Sequence, residues 1–142
     1  MPMLIEHIDA IARNKQRDVL YVKFHRWVQD KVIGSRLISP NWQKLPIRQN
    51  IIDWLEARGI AWQPCAHYAD PNLMLSYQGQ IYIDLPYDKM LPAYKELESF
   101  LEYPNGTMRY DDAVFCRLGF SHAMKNASHD EPGYWDRWAE NF

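Results

Sequence analysis

"LMLSYQGQIYIDLP", residues 73–86, sets two short runs of strand-forming residues on either side of Gln78 and Gly79. A glycine-containing pair between such runs signals a hairpin, because glycine supplies the positive φ that tight turns need. In the second arm Ile81 and Ile83 alternate with Tyr82 and Asp84, the period of a strand with one buried face. The stretch therefore predicts antiparallel pairing in the middle of the chain.

Other strands flank it. "IAWQPCAHY", residues 60–68, is an extended run containing Pro64, which has no N–H to give a ladder and so belongs at an edge or a bulge. Asp70, Pro71 and Asn72 then read as a turn. "DVLYVKF", residues 18–24, is β-branched and aromatic and fits a buried strand, and "AVFCRLGF", residues 113–120, reads as the last one.

Helical periodicity fills the intervals. Leu4, Ile5, Ile8 and Ile11 mark residues 3–14. Pro46 opens a second helix with Ile47, Ile51, Trp54 and Leu55 on one face and Gly59 as its stop. Asp88 caps a third over residues 89–102, striped by Leu91, Tyr94, Leu97 and Leu101, and "YPNG" ends it. Residues 24–34 carry Phe24, Trp27, Val28 and Val32 at helical spacing, yet their β-branched content also suits an extended segment. Residues 34–46 have no regular period and read as a loop. At the far end Asp130 as cap and Pro132 in the first turn predict a helix over residues 131–142, aligning Tyr134, Trp138 and Phe142 beside Trp135 and docking them on the chain's own core.

The expectation is a single α+β domain over residues 1–142. Its mixed, mostly antiparallel sheet has about five strands, one parallel neighbour arising from the first crossover, and is covered mainly on one face by three to four helices. With 142 residues, 47% of them hydrophobic, the chain can build a core. No apolar run approaches the roughly 20 residues of a membrane helix, and the N-terminus lacks a signal-peptide pattern, so a cytoplasmic protein without membrane contact is expected. Cys65 and Cys116 cannot make a disulfide framework and read as packed strand residues.

Net charge is −2, but residues 1–71 sum to +3 and residues 72–142 to −5. The acidic half contains "MRYDDA", with Tyr110, Asp111 and Asp112, and the helix carrying Glu98 and Glu102. Carboxylates beside aromatic anchors suit a docking face for a basic partner. The first reading is accordingly a non-enzymatic protein-binding domain, an inhibitor or neutraliser of a basic protein. A hydrolase or transferase is second: His122 and His129 stack on one face if a helix runs unbroken between them, with Asp130 and Glu131 following. Asp130 is better explained as a cap, no HExxH occurs, and neither a metal nor another cofactor is expected. Cys116 reads as core, with Arg117 pointing the other way, and Ser121 beside His122 has no nucleophile-elbow motif. Third is a single-stranded nucleic-acid binder using Arg26, Arg36, Trp42 and Lys44 for phosphates and stacking, a reading that the negative net charge disfavours.

Overall fold

A computed structural model of the chain describes residues 5–30, 34–38, 41–70 and 77–140, with residues 26–30 and 34–38 described by their backbone. Its centre is a four-stranded, wholly antiparallel open sheet. The strands are β1 (Val19–Phe24), β4 (Trp62–Pro64), β5 (Ile81–Ile83) and β6 (Ala113–Leu118), in the order β4-β5-β1-β6. Strands β2 (Arg26–Asp30) and β3 (Gly34–Ile38) form a separate two-stranded ladder. Five α-helices lie among the described residues: α1 (Ile8–Lys15), α2 (Pro46–Ala57), α3 (Pro92–Leu101), α4 (Phe120–Ala123) and α5 (Tyr134–Glu140).

The main sheet has four strands rather than five, and no parallel pair. Of the stretch left open between helix and extended backbone, residues 26–30 are strand, and residues 34–38, expected as loop, are its partner: Arg26 pairs with Ile38 and Val28 with Arg36. The only described parallel bridge joins His7 to Ala66. The expected hairpin gives way as well. Both edges of β5 are occupied, by Leu20–Val22 of β1 on one side and by β4 on the other, so its neighbours come from distant sequence. The first arm of the expected hairpin, residues 73–76, lies outside the described residues. Ile81, Tyr82 and Ile83 are all buried, which is why their alternation carried no information about which face meets water.

Both faces of the sheet are covered. Leu20, Val22, Phe24, Ile81 and Ile83 pack against Ile51, Ile52 and Leu55 of α2 and Tyr94, Leu97 and Leu101 of α3. On the opposite face Val19, Tyr82, Leu118 and Cys65 meet Ile8, Ile11 and Ala12 of α1 and Ala123 of α4. Pro64 sits in an edge strand, as its missing N–H requires, and Gly59 stops α2 at φ +69°.

Two helix starts differ from expectation. α3 begins with Pro92 at its first position, where a missing N–H costs nothing, while Asp88 instead accepts the N–H of Met90 in a local turn. α5 begins at Tyr134, beyond Gly133 at φ +80°, and Asp130 is occupied elsewhere. No described residue of α5 is buried, and Trp135 is 38% exposed; Phe142 lies outside the described residues. Trp135 nevertheless rests on His7 at 5.8 Å and on His129 at 4.8 Å between ring centroids. Such shallow docking predicts that removing residues 132–142 leaves a cooperative thermal melt and costs about 1–3 kcal/mol, the order of one or two partly buried aromatic side chains. A truncated protein without a cooperative transition would contradict this.

Candidate functional site

Glu98 and Glu102 stand at the end of α3, and Asp111 and Asp112 immediately before β6. Arg109 ties this corner: its backbone N–H donates to the Leu101 carbonyl at 2.9 Å, and its Nε to the carbonyls of Ser99 and Glu102 at 2.8 and 3.0 Å. Tyr110 packs its ring 5.7 Å from Phe100, which stacks on Trp54 at 4.6 Å. The Asp112 carbonyl accepts the N–H of His25 at 3.0 Å, which anchors the start of β6, and Asp111 stands exposed beside it. Burial and then the neighbouring Glu98 carboxylate raise the Tyr94 hydroxyl above its ordinary range. One turn on, partial burial and then the charge of Glu98 push the Glu102 carboxyl above its ordinary range. Among the described residues no lysine or arginine forms an ion pair with Glu98, Glu102, Asp111 or Asp112. Among the described residues the four carboxylates thus stand without an ion-pair partner as two pairs, Glu98 and Glu102 one turn apart at the end of α3 and Asp111 and Asp112 adjacent before β6.

The histidine constellation is taken apart. The chain between His122 and His129 is α4 followed by a 3₁₀ stretch, Met124–Asp130, kinked at Asn126, so the unbroken helix needed to stack the two rings does not form. His122 is exposed, its ring 4.6 Å from Tyr68. His129 is buried, with Tyr134 at 4.4 Å, and burial lowers its proton affinity. Glu131 is exposed and lies 3.8 Å from Arg137.

Asp130 is no cap. Its two oxygens accept Nε and Nη2 of Arg13 at 2.8 and 2.9 Å, and those hydrogen bonds hold its carboxyl below the usual range. Arg13 Nη1 reaches the fully buried Asp9 at 3.1 Å and the Ala123 carbonyl at 3.0 Å. Asp9 also accepts Asn126 Nδ2 at 2.8 Å and the N–H of Ala69 at 3.3 Å. Every member of this network has a partner, which suits a structural fastening rather than a reacting group.

The basic set is also divided. Arg26 and Arg36 lie on the paired strands of the β2–β3 ladder, and Lys44 is exposed. Trp42 is no free stacking platform: Arg48 lies over its ring at 4.5 Å, and Tyr77 meets it edge-on at 4.9 Å.

Cys116 lies opposite Tyr21 in the ladder, and Cys65 is buried. Burial pushes the Cys65 thiol up to about 12 and raises that of Cys116, the reverse of what a nucleophile needs. Sequence reasoning missed two polar groupings. One is the Asp9–Arg13–Asp130 fastening. The other is a chain in which Arg48 donates to the Gly79 carbonyl, Tyr77 to that of Gln80, and the Gln80 amide meets His67, whose carbonyl meets His7 Nδ1. The i,i+4 spacing of Asp9 and Arg13 was a local signal; the long-range partners left none. Among the described residues no helix is long and apolar enough to cross a membrane. Comparisons with protein families, with curated proteins and with solved structures gave no match.

Proposed function

We propose that this protein is a non-enzymatic, cytoplasmic binding domain that takes a basic protein partner on the acidic corner formed by Glu98, Glu102, Tyr110, Asp111 and Asp112, acting as its inhibitor or neutraliser. The observation that carries the reading is the uncompensated carboxylate group. Glu98 and Glu102 repel one another in a partly dry place, and an incoming lysine or arginine would relieve that repulsion. Tyr110, next in sequence to Asp111 and Asp112, rests on Phe100, and the pair offers an aromatic surface of the composition favoured in interface cores. The hydrolase reading required His122 and His129 on one helical face. The nucleic-acid reading required Trp42 to be available for stacking.

The test compares wild type, an Asp111→Lys/Asp112→Lys variant and an Arg36→Glu/Lys44→Glu variant as bait in the source cell's lysate, with and without nuclease. The captured protein is then purified for kinetics. Charge reversal at Asp111 and Asp112 should chiefly slow association, and rising salt should weaken the wild-type complex, because rim charges act through steering. The variant's own stability should stay within about 0.5 kcal/mol of wild type. Equal capture by all three proteins would refute the reading, and capture abolished by nuclease would favour nucleic acid.

A further inference from the structure

Strand β6 is an edge, paired with β1 on one side only. Two hydrogen bonds tell which of its backbone groups face outward. His25 donates to the Asp112 carbonyl, so Asp112 faces β1, and by the alternation of an antiparallel ladder so do Val114, Cys116 and Leu118. Phe115 instead donates its N–H to the Met108 Sδ at 3.4 Å, away from β1. The outward set is therefore Ala113, Phe115 and Arg117.

This edge is weakly defended. The opposite edge, β4, has three residues and contains Pro64, whereas β6 has six and no proline. Its central donor is met only by a thioether, a poor acceptor on a flexible side chain that can swing aside. Ala113 and Arg117 find no backbone partner for their N–H groups among the described residues.

We infer that the outer edge of β6 pairs antiparallel with β6 of a second copy of this chain, about a two-fold axis at Phe115. The outward residues dictate that register: Phe115 faces its own counterpart, and Ala113 faces Arg117 of the second copy. Charge selects the occupant. Asp111 and Asp112 precede the strand and Arg117 stands near its end, so a two-fold places each Arg117 diagonal to the other copy's Asp111, twice over. A parallel arrangement would set like charges together. Arg117 is half exposed; its ion pair with Asp18, at 3.9 Å, is long, and its guanidinium lies over the Tyr87 ring at 4.2 Å, a stacking that leaves its N–H edges open to a carboxylate.

The same register sets Val114 opposite Cys116 of the second copy in a non-hydrogen-bonded pair, where side chains approach most closely. Val114→Cys should therefore yield a covalent dimer on mild oxidation, seen on a non-reducing gel, while the wild-type protein should not cross-link. Arg117→Pro removes an outward N–H and a charge without touching the β1 ladder. In sedimentation equilibrium it should weaken self-association by at least about tenfold, with a thermal melt confirming its fold. A wild-type protein that stays monomeric across the concentration series would overturn the inference. So would a dimer that neither cross-links through Val114→Cys nor responds to Arg117→Pro. If Arg117→Pro does not fold, the cross-link alone decides. Asp111 also serves the proposed docking of a basic partner, so neither variant alters it, and a monomer whose Arg117→Pro form loses that partner would give the edge to the partner instead.

Discussion

Arg13→Ala should cost about 3–5 kcal/mol in urea unfolding, the range for removing one partner of a buried ion pair. The side chain is only 5% exposed and holds Asp9, which is fully buried, together with Asp130, which is 53% exposed. The two carboxylates respond differently when the guanidinium goes. Asp130 can turn to water, while Asp9 is left in the interior with only Asn126 and the Ala69 N–H as partners. Most of the loss therefore lies with Asp9, and Asp9→Asn in the Arg13→Ala background should recover part of it. Arg13→Lys should also recover only part, because an ammonium can reach Asp9 but cannot at once reproduce the fork that meets Asp130 twice. Against a total stability of roughly 5–15 kcal/mol, the single Arg13→Ala change brings the protein close to unfolding. A midpoint within experimental error of wild type would show that the network contributes nothing net.

Gly79→Ala should destabilise by a similar amount, about 3–5 kcal/mol, from two causes acting together. Gly79 sits at φ +90°, where an L side chain is strained, and an added Cβ would lie 2.7 Å from the Trp42 Cγ and closer still to its Cβ. Trp42 cannot retreat without leaving Arg48 and Tyr77, and Arg48 itself holds the Gly79 carbonyl at 2.9 Å. Gly106→Ala is the control. It shares the positive φ, +88°, but a Cβ there meets nothing within 4 Å, so it should show the backbone part of the cost alone. Equal losses at the two positions would mean that the contact with Trp42 is immaterial.

Local signals in the sequence were read well where one residue's chemistry determines one feature. Pro46 and Gly59 bound α2, the β-branched and aromatic run of residues 18–24 contains the largely buried β1, and Pro64 lies at an edge. Failures came where distance or burial erased the period. β5 is buried on both faces and takes its neighbours from residues 20–22 and 62–64, so no local pattern could name them. Residues 24–34 carried apolar spacing compatible with either period, and pairing with residues 34–38 chose the strand for residues 26–30. The acidic residues were visible as composition, whereas the packing of Tyr110 on Phe100 and of Phe100 on Trp54 left no local trace. Asp130 was misread for the same reason: a helix cap is a local explanation, and its actual partner lies 117 positions away.

That separation bears on how the chain can be made. At about 5–20 residues per second of synthesis, Asp130 follows Arg13 out of the ribosome by roughly 6–23 s. Throughout that interval α1 cannot complete its fastening, and Ile8 and Ile11, which end buried against Val19 and Leu118, have no finished surface to lie on. Ribosome-bound nascent chains ending before Asp130 should thus present a first helix that is not yet fastened, and a protease should cut it there faster than in the finished fold.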